Sequence, residues 1–91
     1  MYRKTVTVIN KRGLHARPGS DFVNAAAKFK SKVTIRRTDE EDDPVNAKSI
    51  AFVLSLGVSK GVEIELAATG DDEQEAVDSL VAMIIEGFGD L

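Results

Sequence analysis

The sequence predicts an α+β domain in which four antiparallel strands form one sheet and three helices cover one face of it. Four short segments rich in β-branched residues alternate apolar and polar side chains, which is the two-residue period of a strand. Three other segments repeat apolar residues at helical spacing. Such alternating strands are typical of an antiparallel sheet with one covered and one wet face. The pattern alone leaves a ferredoxin-like arrangement of the same elements equally open.

The N-terminal half is predicted to hold two strands on either side of a helix. Residues 5–9 alternate valine with threonine, and residues 32–37 place Val33 and Ile35 on one face. Between them, residues 18–28 are predicted to be helical because Phe22 and Ala26 recur at helical spacing. The order of elements therefore begins strand, helix, strand.

The C-terminal half is predicted to add two strands and two helices. Residues 45–48 allow only a short strand, and Ser49 stands where the N-cap of a short helix over residues 50–56 is expected. Residues 62–68 alternate most clearly, and residues 72–86 repeat apolar side chains at helical spacing. Between the second and third strands, residues 39–43 are five consecutive carboxylates. Because like charges repel, we expect a solvated turn there.

Composition restricts the classes of function. The 91 residues are expected to form one domain, residues 1–91, and the net charge of −3 does not favour nucleic-acid binding. The absence of cysteine and the single histidine argue against a disulfide or zinc site, so we expect no metal and no cofactor. Residues 1–9 lack the apolar segment of a signal peptide, and no apolar run approaches the ~20 residues that span a bilayer. We therefore expect a cytoplasmic protein that does not insert into membranes.

The segment of greatest chemical interest is residues 13–20, GLHARPGS, which contains the only histidine. Pro18 is favoured at the start of a helix, so His15 is expected at or just before a helix N-terminus. The unpaired N–H groups and the dipole of such a terminus form an anion site. With Arg17 two residues further on, a nucleophilic nitrogen and two anion-binding groups occur together, which suggests a site for a phosphoryl group. Alone, such a histidine is more often a surface side chain without chemistry.

Two segments carry a resemblance to a known family. Residues 13–18, GLHARP, resemble the phosphorylation-site signature of the HPr family, the histidine-containing phosphocarriers of the bacterial phosphotransferase system. Residues 45–50, VNAKSI, resemble the regulatory serine site of that family, and residues 54–57, LSLG, follow as they do there. The likeness covers nearly the whole chain in the right order. It implies an open-faced β-sandwich of four strands and three helices.

The resemblance also implies a function and roles for residues. His15 would accept a phosphoryl group from enzyme I and pass it to the IIA domains of sugar permeases. Arg17 and the helix terminus, which includes Ala16 and Pro18, would stabilise the phosphate. A monomer is implied as well. Gly19 and Ser20 replace bulkier residues often found in the family, a difference that predicts a looser first helical turn.

A regulatory site and a docking surface are implied in the second segment. Ser49 would be the site of HPr kinase/phosphorylase, in addition to its capping role. Ile50 and Leu54 fit the apolar patch through which the family docks its partners, and Ala51 stands where a larger residue is frequent. Phe52 and Val53 are assigned mainly to the core. The acidic turn is longer and more acidic than is usual in the family.

Two other functions stay open at this point. The chain could be the carrier of a regulatory branch, such as nitrogen-related signalling, in which no sugar is moved. It could instead be a regulatory protein-binding domain without phosphotransfer, in which case His15 would be dispensable. A small-molecule enzyme is disfavoured because no paired acid and base residues occur at a telling spacing.

Overall fold

A computed structural model describes residues 1–89 and contains four strands and three helices in the predicted order. The elements are β1 (Tyr2–Thr7), α1 (Ala16–Ala27), β2 (Lys32–Arg37), β3 (Val45–Asn46), α2 (Ile50–Ser55), β4 (Glu63–Thr69) and α3 (Glu73–Ile85), followed by a 3₁₀ turn at Gly87–Gly89. Within residues 1–89, every helix is too short or too polar to cross a membrane.

The four strands form one sheet in the order β1-β4-β2-β3, and every neighbouring pair is antiparallel. The last strand therefore lies in the centre of the sheet, between β1 and β2. The predicted fold class is confirmed, and the strand order resolves the arrangement that the local pattern left open.

The core lies between the sheet and the helices. Each main strand contributes the alternate residues that the sequence predicts, such as Val33, Ile35, Ile64 and Leu66, all fully buried. The helices supply the opposite side of the core from their apolar faces. Their fully buried side chains are Phe22 and Ala26 from α1, Val53 from α2, and Ala76, Val77, Leu80 and Ile84 from α3.

The largest difference from the predicted bounds is in β1, which covers Tyr2–Thr7 rather than residues 5–9. The strand begins earlier because Tyr2 pairs with Ala68 and each following residue continues the register along β4. The edge is also held to α3, where the Asp78 carboxylate accepts a hydrogen bond from the Tyr2 hydroxyl and pairs with Lys4 at 2.8 Å. Pairing of this kind does not depend on local alternation, so the sequence pattern did not reveal it.

The acidic segment is an exposed turn, as predicted, and one cation organises its beginning. The Arg37 guanidinium pairs with Asp39 at 2.8 Å and with Glu40 at 2.9 Å, and it holds the pKa of Asp39 below its usual value. Arg37 Nη1 also donates to the carbonyl oxygens of Leu56 and Gly57, both at 3.1 Å. Arg37 therefore connects the acidic turn to the C-terminal end of α2.

Asp72 occupies the N-cap position of α3, but its carboxylate bonds to the turn between α1 and β2 instead of to its own helix. It accepts hydrogen bonds from the backbone N–H groups of Lys30 and Ser31, both at 2.9 Å, and from the Ser31 hydroxyl. These donors, the hydroxyl first, lower the pKa of Asp72 to about 2. One carboxylate thus joins two segments separated by about forty residues.

We expect Asp72→Asn to reduce the dependence of stability on pH. The folded-state pKa of about 2 lies below the unfolded value of ~3.9, so the stabilisation by Asp72 is complete above pH ~4 and is lost as the pH falls toward 2. Urea unfolding at pH 2, 3, 4 and 5 should therefore show a steeper loss of stability for the wild type than for the variant. Parallel profiles would contradict this assignment, and Asp71→Asn, at the exposed neighbouring residue, is the matched control.

Candidate functional site

The loop between β1 and α1 is fixed by hydrogen bonds on both sides of Gly13. The buried Asn10 amide donates from Nδ2 to the Gly13 carbonyl oxygen at 2.9 Å, and the Gly13 N–H donates to the Asn10 carbonyl oxygen at 3.2 Å. Leu14 is buried, and its N–H donates to the Val58 carbonyl oxygen at 3.0 Å. The residue directly before His15 is therefore anchored in the core.

His15 is the N-cap residue of α1, with extended backbone angles of φ −100° and ψ 160°. The prediction that it lies at the helix N-terminus is confirmed. Its side chain is exposed and makes no capping hydrogen bond, so the first N–H groups of α1 are not covered by the imidazole. An exposed nitrogen beside uncovered donors can meet an incoming anion.

Ala16, the first residue of α1, has a positive φ of 53°. A residue with a Cβ atom is strained in this left-handed region by about 1–2 kcal/mol, and such strain concentrates at functional sites. Leu14 and Pro18, two residues before and two residues after Ala16, are buried and anchor the chain on both sides of the strained residue. This conformation could not be predicted from the sequence, because alanine does not favour a positive φ.

The helix begins two residues earlier than predicted, at Ala16 instead of Pro18. Pro18 is tolerated in this first turn because its missing N–H would have no partner within the helix. Arg17 is 87% exposed, and its Nε lies 3.9 Å from Asp21 Oδ2. Sequence interpretation missed Asp21, although its i,i+4 spacing from Arg17 is the signal of a helical ion pair.

Gly19 has a packing role that was not predicted, whereas the looser turn expected of it stays a prediction. A Cβ atom at this buried position would lie 2.4 Å from the Leu14 carbonyl oxygen and 3.5 Å from Leu54 Cδ2. The glycine therefore permits a close approach between α1, the loop before it and α2. This contact also brings the exposed side of α2 next to the first turn of α1.

Ser49 is the N-cap residue of α2, as predicted, and its hydroxyl accepts a hydrogen bond from the Phe52 N–H at 3.4 Å. The neighbouring Lys48 ammonium donates to the Phe29 carbonyl oxygen at 2.7 Å, just beyond the C-terminal end of α1. The second motif is thus tied to the helix that begins at His15.

The side chains of α2 divide between core and solvent. Ile50 and Leu54 are 40% and 42% exposed, and Ala51 is exposed as well. Val53 is fully buried, as expected, but the assignment of Phe52 mainly to the core is wrong because this ring is 53% exposed. With about 100° between successive helical residues, a core-facing Val53 turns Phe52 away from the core on the side opposite Leu54.

Comparisons with known proteins agree with this geometry. The family model described as "PTS HPr component phosphorylation site" matches residues 2–86. The phosphocarrier protein HPr of Neisseria meningitidis serogroup A is 40% identical over 90 residues, which are 99% of this chain and 98% of that protein. The crystal structure of HPr-C-His from Thermoanaerobacter tengcongensis superimposes with a TM-score of 0.93 at 45% identity, covering 100% of this chain and 99% of that one.

Other similar proteins differ in length or assembly. The multiphosphoryl transfer protein of Haemophilus influenzae is 40% identical over 86 residues, and the chain spans only 17% of its length. The crystal structure of Crh, the catabolite repression protein of Bacillus subtilis, is described as a dimer with a swapped domain. It is 44% identical with a TM-score of 0.71, covering 96% of this chain and 97% of that one. The monomer that the resemblance implies for this chain stays a prediction. The family match and the near-complete coverage of HPr proteins show that the chain belongs to the HPr family of phosphocarriers of the phosphotransferase system.

Proposed function

We propose that this chain carries a phosphoryl group on His15, received in the cytoplasm from phosphorylated enzyme I and passed to the IIA domains of sugar permeases. The observation that carries the proposal is the position of His15 itself. Its imidazole is exposed at the N-cap of α1 and makes no capping bond. A carrier needs such exposure because donor and acceptor proteins must reach the same nitrogen.

The surroundings of His15 suit a reversible transfer. A neutral imidazole nitrogen attacks phosphorus, and the N–P bond forms as the bond between phosphorus and the donor breaks. Transfer of this kind depends mainly on positioning and on stabilisation of charge. The helix terminus that includes Ala16 and Pro18 supplies N–H groups and the positive end of a dipole, and Arg17 supplies a guanidinium.

We expect the purified chain to gain one phosphoryl group when it is mixed with phosphoenolpyruvate, magnesium and enzyme I. Intact-mass measurement should show the gain, and the group should be lost in acid, as expected of phosphohistidine. His15→Ala should show no gain, while Ser49→Ala should behave as the wild type. A wild-type chain that gains nothing with the enzyme I of its own organism would refute the proposal.

We also propose that Ser49 is phosphorylated by HPr kinase/phosphorylase. The resemblance of residues 45–50 to the regulatory site supports this, as does the half-exposed position of Ser49 at the N-terminal end of α2. The patch of Ile50, Ala51 and Leu54 is proposed as the docking surface for partners. It is supported by the exposure of these side chains and by the position of Leu54, whose Cδ2 would lie 3.5 Å from a Cβ atom on Gly19 in the first turn of α1.

Two Ser49 variants are expected to separate capping from modification. Ser49→Ala should lower the free energy of unfolding by about 1 kcal/mol or somewhat less, because the capping bond of 3.4 Å is long. Ser49→Asn should keep the stability, since asparagine is an equally good N-cap residue. Neither variant should accept phosphate from the kinase. Phosphorylation of Ser49→Asn by the kinase would show that another residue is the target. Equal free energies of unfolding for Ser49→Ala and Ser49→Asn would contradict a stabilising role of residue 49 as the N-cap of α2.

A regulatory role is the second candidate, favoured by the likeness to the catabolite repression protein Crh. The regulatory role differs from the sugar-uptake role in whether the phosphoryl group on His15 is passed to IIA domains. A carrier for sugar uptake should lose its phosphoryl group to IIA domains, whereas a purely regulatory chain should retain it in their presence. Mixing the phosphorylated chain with purified IIA domains therefore distinguishes the two.

A further inference from the structure

The residue that pairs with Arg17 lies one helical turn beyond the histidine site. Arg17 Nε and Asp21 Oδ2 are 3.9 Å apart, and the two side chains are 87% and 44% exposed. Asp21 is also the only carboxylate within Ala16–Ala27. The single anionic side chain of α1 thus lies near the guanidinium of Arg17, two residues from His15 in the sequence.

Helix stability does not account for this pair. A cation near the N-terminus opposes the helix dipole, and an Arg followed by an acid four residues later is the weaker order of such pairs. Exposed pairs of this kind contribute little to folding in any case. A contribution to folding therefore does not explain the pair, and the adjacent histidine site offers a functional reason for it.

The pair also lies in a concave part of the surface. Arg17, Pro18, Asp21 and Phe88 line a cleft of about 240 Å³. Phe88 is half-buried, and its φ of 58° is a strained value at the end of the described chain. The apolar side chains of Pro18 and Phe88 line this cleft beside the two charged side chains, which remain open to solvent.

We propose that Asp21 is a positioning residue that binds Arg17 in the unphosphorylated chain and makes the phosphorylated chain a better phosphoryl donor. The inference rests on the proposed function of His15. When the imidazole nitrogen forms its bond to phosphorus and the donor retains the electrons of the bond that breaks, about two negative charges arrive beside Arg17. The guanidinium then exchanges the carboxylate for the phosphoryl oxygens. Asp21 loses its partner and repels the new charge.

Both effects destabilise the phosphorylated state relative to the free one. The expected size is that of an exposed ion pair, equivalent to a change of about 2–5-fold in the equilibrium for phosphoryl transfer. Because both side chains are exposed, the effect should shrink in 1 M salt, where the screening length falls to ~3 Å.

The test measures the phosphorylated fraction by intact mass at a series of pyruvate to phosphoenolpyruvate ratios, with enzyme I as catalyst and at low salt. Asp21→Asn should need a pyruvate ratio about 2–5-fold higher for half phosphorylation than the wild type. Asp21→Glu, which keeps a carboxylate at this position, should show the same pyruvate ratio for half phosphorylation as the wild type. Glu86→Gln is the matched control. Glu86 lines a second cleft, to which Asp21 and Phe88 also contribute, so this variant removes one nearby negative charge without removing the partner of Arg17.

A double-mutant cycle separates competition for Arg17 from simple repulsion. In an Arg17→Gln background, Asp21→Asn should have a clearly smaller effect than in the wild type. An undiminished effect in that background would overturn the positioning role, and so would equal behaviour of Asp21→Asn and Glu86→Gln. If the wild-type chain takes up no phosphoryl group at all, it is the proposed function that fails, which the same measurement records separately.

Discussion

Gly13→Ala is expected to lower the free energy of unfolding by about 2–5 kcal/mol and to impair phosphoryl uptake on His15. Gly13 has a φ of +60°, a conformation that costs a residue with a Cβ atom about 1–2 kcal/mol. The new atom would also lie 2.2 Å from the Val58 carbonyl oxygen and 2.6 Å from the Ser59 Cα. Because both neighbours are backbone atoms, the loop itself must shift, at a further cost of about 1–3 kcal/mol.

Gly57→Ala is the matched control for that substitution. Gly57 has nearly the same φ, +63°, but a Cβ atom there would meet only the Arg37 Nη1 atom at an ordinary contact distance of 3.8 Å. It should therefore show the conformational cost without the clash, about 1–2 kcal/mol, and normal phosphoryl uptake. Urea unfolding of both variants and the mass measurement on His15 test the difference. Equal losses of stability would mean that the Val58 contact does not hold the loop.

The expected loss of phosphoryl uptake on His15 follows from the hydrogen bonds that hold this loop. A shift of Gly13 disturbs the bond from Leu14 to Val58, which fixes the residue before His15. It also disturbs the bond from Asn10 Nδ2 to Gly13. Phosphoryl uptake, expressed per folded molecule, should therefore fall in Gly13→Ala even where the domain stays folded.

The sequence predicted most of what depends on neighbours along the chain. Strand β2 was predicted with the bounds it has, because Val33 and Ile35 alternate with polar residues over its whole length. His15 and Arg17 were found because they lie two residues apart in one motif. The N-cap at Ser49 was equally local, since the hydroxyl bonds to an N–H three residues further on.

Features that depend on contacts between residues far apart in the sequence could not be predicted from such local patterns. The bonds of Asp72 cross about forty residues to Ser31, and the anchor of Leu14 on Val58 joins two separate loops. The start of β1 at Tyr2 depends on the register along β4. Phe52 was misassigned for a related reason: aromatic character alone favours the core, whereas the direction of the ring depends on which residue of α2 faces the sheet.

Phe22 and Phe52 provide a direct comparison between a core ring and a surface ring. Phe22 is fully buried on α1, the helix that begins at His15, whereas Phe52 is 53% exposed on α2. Phe22→Ala should lower the free energy of unfolding by about 3–5 kcal/mol, because burial of the ring is lost and a cavity remains. Phe52→Ala should cost less than about 1 kcal/mol, the usual range for a surface substitution, since alanine also favours the helix.

The loss at Phe22 is large for a domain of this size. A chain of 91 residues is expected to have a stability of about 5–14 kcal/mol, so this variant should unfold at much lower urea concentration and temperature. Urea and thermal unfolding of both variants measure the difference. Similar costs at the two positions would contradict the orientation of α2, in which Val53 and not Phe52 faces the core. A cost below about 1 kcal/mol at Phe22 would mean that the helices close around the cavity, and the position of α1 at the histidine site would then be less rigid than its packing indicates.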